Sequence, residues 1–135
     1  MDDKKHIVAV TAIIKNKNKF LVVKRGNNEI AYPGKWAFPG GKVEKGQNIF
    51  ETLRREVFEE VGLENYKKYL KDYTFLRPDG HNVVGFCFLV KTKSDGVKLS
   101  TDFEDYKWVT PDEFNELDHI EGMEEEVFLA FNDEN

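Results

Sequence analysis

The stretch Gly41–Leu63, GKVEKGQNIFETLRREVFEEVGL, decides how the chain is read. From Asn48 onward it has the marks of a helix. Asn48 supplies an N-cap, Glu51 follows three residues later in a capping-box pattern with Asn in place of the usual Ser or Thr, and Gly62 offers a terminator. The spacing predicts a helix over 49–61. At about 100° per residue, Phe50, Leu53, Val57 and Val61 share one stripe, while Glu56, Glu59 and Glu60 gather roughly a quarter turn away. One face packs and its neighbour collects carboxylates beside the sheet. Each like-charge pair at helical spacing costs roughly 0.2–0.5 kcal/mol unless something offsets it. A solvated acidic face is one explanation, and a bound cation is the other. The cation is favoured by Pro39-Gly40-Gly41 just upstream, because glycines allow close approach of a ligand and direct backbone groups toward it. Several Glu oxygens together are hard donors that suit Mg²⁺ or Mn²⁺, ions that keep waters and bridge substrate phosphates.

Outward from this stretch, strands dominate. His6–Ile14 is rich in β-branched residues and is followed by the polar turn Lys15–Lys19 and by Phe20-Leu21-Val22-Val23, a hairpin pattern. Between Gly26 and Gly46, glycines and prolines alternate with Tyr32, Trp36 and Phe38, which reads as an ordered functional loop. Tyr69–Leu76 and Val83–Val90 flank Arg77-Pro78-Asp79-Gly80, a tight reversal, and so form a second hairpin. Tyr106–Val109 is a last short strand. A helix then starts with Thr110 as cap and Pro111 at its first position, and a final helix over Met123–Phe131 lays Val127, Leu129, Ala130 and Phe131 against the sheet. Strands and helices mix without regular βαβ alternation, which gives α+β or a layered α/β/α sandwich.

Composition narrows the function classes. At 135 residues the chain has the size of one domain, so residues 1–135 are expected to fold as a single unit. Lys plus Arg total 20 against 25 Asp plus Glu, a net charge of −5. That balance disfavours nucleic-acid polymer and anionic membrane as partners but leaves room for a small anion bridged by a cation. The single Cys87 cannot form an internal disulfide, and the N-terminus has no apolar run long enough for export; a cytoplasmic protein, monomer or homodimer, is expected.

The spacing Gly41-x5-Gln47-x7-Arg55-Glu56-Val57-Phe58-Glu59-Glu60-Val61-Gly62-Leu63 resembles the Nudix box, G-x5-E-x7-R-E-U-x-E-E-x-G-U with U bulky and aliphatic. Every defined position but one matches, and the flanking strands and Trp108–Glu113 are also similar. The resemblance implies a mixed β-sheet sandwiched between helices and hydrolysis of a nucleoside diphosphate linked to another group. It implies Glu56, Glu59, Glu60 and the Gly40 carbonyl as metal ligands, with Mg²⁺ or Mn²⁺ as cofactor, and Arg55 as the residue that orients the carboxylates. The water's proton would go to Glu56 or to a carboxylate outside the box, for which Glu104 is the candidate on a loop before Tyr106. The departure is Gln47 in place of the first box Glu. Gln keeps the length and a carbonyl acceptor, so a hydrogen bond to Arg55 is expected to survive while one negative charge is lost, weakening metal binding without abolishing it.

Arg25 and Lys42 are candidates to meet substrate phosphates, and Phe38, with Tyr32 and Trp36, to stack on a base. Trp36 and Phe38 are equally good core residues, because alternate strand positions share a face. Cys87, between Phe86 and Phe88, is expected to be a buried small hydrophobe. The expected substrate is a small-molecule nucleotide. A nucleoside triphosphate cleaved to monophosphate and pyrophosphate leads, an ADP-ribose or nucleotide-sugar substrate comes second on the strength of Pro78, and a non-hydrolytic nucleotide-binding module stands third on Gln47.

Overall fold

In the computed structural model the described residues are 5–57, 63–98 and 102–132. The elements in chain order are β1 (His6–Asn16), β2 (Lys19–Arg25), β3 (Trp36–Ala37), β4 (Gly40–Lys42), α1 (Ile49–Val57), β5 (Leu63–Leu76), β6 (Asn82–Thr92), β7 (Phe103–Val109), α2 (Pro111–Asn115) and α3 (Met123–Phe131). Both expected hairpins form: β1 pairs antiparallel with β2 at Lys15 and Asn16, and β5 pairs antiparallel with β6. The turn between β5 and β6 is closed by Gly80 N–H donating to the Arg77 carbonyl, with Gly80 at φ +92°, a conformation glycine adopts freely. Arg77 grips the Asp79 carboxylate at 2.8 and 2.6 Å, which accounts for Pro78 as a turn residue.

One sheet of seven strands results, in the order β3-β2-β1-β6-β5, with β4 added to β1 and β7 to β2. Its β1–β6 pairing is parallel and runs from His6 opposite Asn82 to Lys15 opposite Lys91, so the sheet is mixed. Because successive strand side chains alternate in direction, β1 feeds two cores. Val10, Ala12 and Ile14 join Leu21, Phe88 and Val90 under Leu53 of α1. Ile13 faces the other way and joins Phe20, Val22, Trp36, Phe38, Cys87, Leu89 and Val109 under Phe114 of α2 and Met123, Val127 and Ala130 of α3. Helices therefore cover both faces, as an α/β/α sandwich requires. Truncating an anchor such as Leu53 to Ala would cost about 2–5 kcal/mol.

Two helix faces differ from expectation. In α3 the buried residues are Met123, Glu126, Val127 and Ala130, the i, i+3, i+4, i+7 stripe, and Leu129 lies off that stripe and is 37% exposed. In α1 the inward residues are Thr52 and Leu53, with Ile49 partly buried against the same core, whereas Phe50 is 52% exposed. Thr52 fits inward because its hydroxyl donates back to the Asn48 carbonyl at 3.0 Å. Phe50 instead rests its ring on Phe88 at 5.7 Å, beneath the Lys67 ammonium. Residues 58–62, including the remainder of the expected helix and its terminator Gly62, lie outside the described residues.

Candidate active site

The glycine loop and α1 meet at β4. Asn48 caps the helix: its side-chain oxygen accepts from Glu51 N–H at 2.8 Å, and its amide donates to the Glu51 carboxylate at 2.8 Å. The cap thus closes through side chains on both sides. β4 lies against β1 with Thr11 opposite Gly40 and Ala9 opposite Lys42. Each of its two glycines is required by a close approach. A Cβ on Gly40 would stand 2.8 Å from the Thr11 Cα, and one on Gly41 would stand 2.7 Å from each Glu56 carboxylate oxygen. The glycines therefore let protein groups come together, Gly40 with β1 and Gly41 with the first box carboxylate.

Arg55 ties this arrangement together. Its Nε and Nη2 donate to Glu56 Oε1 at 3.1 and 2.9 Å, Nη2 also donates to the Lys42 carbonyl at 2.9 Å, and Nη1 donates to the side-chain oxygen of Gln47. One planar guanidinium thus joins the helix, the end of β4 and the loop between them, a task suited to its fixed fork of donors. The hydrogen bond expected to outlast the Glu-to-Gln departure is present. Arg55 and Glu56 keep side-chain exposures of 31% and 28%, open enough for a ligand to reach. Among the described residues, no hydrogen bond is made to Glu56 Oε2 and no three His, Cys, Asp or Glu side chains converge on one point. Glu59 and Glu60, which the resemblance names as the other carboxylate ligands, lie outside the described residues.

The remaining candidates separate. Phe38 is 6% exposed and stacks on Phe114 with ring centroids 6.4 Å apart, as one of the core residues of that face. Trp36, 8% exposed, joins the same core. Arg25 braces its own loop: Nε donates to the Ala31 carbonyl at 2.8 Å and Nη2 to Glu29 at 3.1 Å. Lys42 is exposed, and its carbonyl is the part that touches Arg55. Glu104 is exposed and sits within β7, not on a loop. Phe103 pairs with Arg25 and Asp105 with Lys24, so Glu104 is the extra residue of a bulge, where strands commonly re-aim a side chain. The strand begins at Phe103, and Asp105 stands opposite Lys24 across the ladder, an opposite-charge pair.

Sequence reasoning missed Glu126. It is 7% exposed on the sheet side of α3, with the buried Cys87 thiol nearby, and burial holds its carboxyl above the usual carboxylate range. The same burial pushes the Cys87 thiol up, in keeping with its expected role as an inert core residue. The available signal was its place in the i, i+3, i+4 stripe with Met123 and Val127. It was obscured because Glu124-Glu125-Glu126 reads as one solvated run.

A mixed sheet lies between helices, with an Arg–Glu pair seated on a glycine strand at one helix face. The chain belongs to the Nudix family: the NUDIX domain matches residues 5–129, so the protein is a Nudix hydrolase. Among its relatives, nucleoside triphosphatase NudI of Salmonella arizonae is 32% identical over 78% of this chain and 82% of its own length. NudI of Klebsiella pneumoniae is 30% identical over 84% and 89%. Among solved structures, the MutT protein from Methanosarcina mazei Go1 superposes with a TM-score of 0.77 at 27% identity, covering 98% of this chain and 96% of that one. The E. coli ORF135 protein superposes with a TM-score of 0.70 at 26% identity, covering 97% and 94%.

Proposed function

We propose that residues 1–135 act as one Nudix domain that hydrolyses a nucleoside triphosphate to the monophosphate and pyrophosphate, with Mg²⁺ or Mn²⁺ as cofactor, in the cytoplasm. The similarity to relatives named nucleoside triphosphatase, over most of both chains, supports the substrate class. The observation that carries the chemistry is Glu56 pressed against Gly41 and fixed on one oxygen by Arg55.

The donor set fits a hard divalent cation. Glu56 has a second carboxylate oxygen outside the Arg55 grip, the neighbouring Gly40 contributes a carbonyl, and Glu59 and Glu60 add carboxylates from the same box. Such an ion, when bound, neutralises diphosphate oxygens and lowers the pKa of a coordinated water. The chain's own residues then supply position and proton handling. Arg55 fixes the rotamer of Glu56 and ties it to β4, so the carboxylate meets the substrate pre-oriented. Gln47 and the Lys42 carbonyl hold Arg55 in turn. Glu56, or Glu104 from the β7 bulge, accepts the proton of the attacking water, and Lys42 provides an exposed cation beside β4 for a phosphate. Pro78 is accounted for by its turn, so the ADP-ribose reading keeps no residue of its own.

The test is to incubate the purified protein with Mg²⁺ and a panel of nucleoside triphosphates, oxidised nucleotides, ADP-ribose and nucleotide sugars, with and without chelator, and to identify products by mass spectrometry. Chelator-sensitive appearance of a nucleoside monophosphate and pyrophosphate is expected. Turnover of ADP-ribose or a nucleotide sugar in preference to every triphosphate would replace the substrate class.

A further inference from the structure

Strand β5 closes one side of the sheet: it pairs with β6 alone, so its outer row of backbone N–H and C=O groups has no ladder partner among the described residues. At 14 residues it is longer than most strands, and a long open edge is a template for another chain unless something blunts it. Lysines and bulges are the usual means, and β5 has both: Lys67, Lys68 and Lys71 stand beside a register shift between Tyr69 and Lys71. Yet the same strand exposes Tyr69 at 50% and Leu76 at 73%, large apolar side chains that blunting does not call for.

The bulge sorts these side chains between the two faces. Lys67 stands opposite Val90, Tyr69 opposite Phe88 and Asp72 opposite Phe86, all toward the α1 side, where the Tyr69 ring lies edge-on to Phe88 at 5.9 Å. Leu70, the extra residue, packs on the core beneath α2 and α3; Lys71, opposite Cys87, points the same way and pairs with Glu125 of α3 at 2.5 Å. Because the bulge takes up Leu70, Tyr69 sits midway between Lys67 and Asp72, two β6 residues from each. A cation and an anion thus flank an exposed aromatic ring symmetrically on one face of an open edge. Asp72 is exposed and forms no hydrogen bond or ion pair among the described residues, and the Lys67 ammonium lies over the Phe50 ring, 5.0 Å from its centroid.

We infer that β5 is a self-association edge, to which a second copy of this chain adds its own β5 antiparallel about a two-fold axis at Tyr69. That axis sets each Lys67 opposite Asp72 of the second copy, twice over, and brings the two Tyr69 rings together, the self-complementary pattern that an isologous contact requires. On the other face it brings Lys68 toward Lys71 of the second copy, a repulsion that Glu125 relieves by pairing with Lys71. The open backbone row supplies main-chain hydrogen bonds, so two sheets become one. A second copy fits better than an unrelated strand, because both halves of the charge pattern lie on the same chain. The edge is separated from β1 and β4 by β6, so the Arg55–Glu56 pair on Gly41 stays clear of the contact.

The experiment is sedimentation of the full chain over a concentration series, for wild type, Lys67→Asp, Asp72→Lys and the double variant that exchanges the two charges. Wild type is expected to sediment as a dimer. Each single reversal sets like charges opposite each other twice and should weaken the dimer by about tenfold or more, and the exchange variant should restore it. An equal mixture of the two single variants should also dimerise, since their charges are complementary across the axis. Wild type that stays monomeric up to about 1 mM, a dimer indifferent to both reversals, a mixture that fails to associate, or a folded exchange variant that stays monomeric overturns the inference. Where a reversal fails to fold by circular dichroism, Tyr69→Cys decides: the axis predicts a disulfide-linked dimer on mild oxidation, with Thr74→Cys as the control that stays unlinked. No linkage through Tyr69→Cys, or equal linkage in both, overturns it.

Discussion

The Arg55 guanidinium donates to the side-chain oxygen of Gln47, eight residues earlier, while two of its nitrogens hold Glu56 Oε1. A neutral amide thus does the holding that a carboxylate does in the Nudix box pattern. What it does not supply is the charge. Gln47→Glu should keep the geometry, turn this contact into an ion pair and add negative potential beside Glu56. The Mg²⁺ concentration for half-maximal activity is expected to fall several-fold. An unchanged metal titration would show that the lost charge is neutral for function.

Gly41→Ala places a methyl group against both Glu56 oxygens, and neither Arg55 nor the β4 pairing leaves an easy retreat. Because a misplacement near 1 Å can cost about 10²-fold in rate, kcat/KM is expected to fall by about that factor. Circular dichroism should show a folded protein. A folded variant with near-normal activity would separate Glu56 from the chemistry.

Glu59→Gln tests the box carboxylate that the family pattern assigns to metal binding. Loss of turnover by two orders of magnitude or more is expected, with the melting temperature little changed and weaker Mg²⁺ binding by calorimetry. Normal turnover in a folded Glu59→Gln protein would remove Glu59 from the ligand set.

Glu126 predicts a pH dependence of stability. Its folded pKa is raised, chiefly by burial, above the ordinary value of 4.5; the Cys87 thiol, Lys71 and Glu125 are the charged or titratable groups around it. The native state therefore prefers the protonated carboxyl. Its contribution is fully present below about pH 4.5, declines as the unfolded state ionises first, and is lost once pH rises through the raised folded value. Glu126→Gln should be more stable than wild type at pH 7 and lose that advantage near pH 4, as measured by thermal melts across pH. An advantage independent of pH would mean that Glu126 ionises as easily folded as unfolded.

The sheet and its two helical covers were legible because their signals are local: β-branched residues in β1, the Arg77–Gly80 turn, and the Thr110 cap before Pro111, which the structure completes as a box in which Thr110 and Glu113 bond each other's backbone. The Gln47–Arg55 bond was legible because an amide oxygen and a guanidinium constrain each other. What was not legible has tertiary causes. The bracing of its own loop by Arg25 was not legible, because that loop folds back onto it only in three dimensions. Glu104 was placed on a loop because the β2 residues paired with its neighbours, Lys24 and Arg25, are about 80 residues away in sequence. Phe38 satisfied two readings until Phe114 was seen against it.

The parallel pairing of β1 with β6 joins residues 76 positions apart, beginning with His6 and Asn82. Closing so large a loop delays the reward of its contacts until the intervening chain has been organised. During synthesis, the first hairpin and the glycine loop emerge long before the strand that completes the sheet centre. β1 then exposes an unsatisfied edge and the apolar residues Val10, Ala12 and Ile13 until β6 clears the ribosome. The protein should accordingly fold late and in one step around β6, and nascent chains ending before Thr92 should depend on chaperones to avoid aggregation.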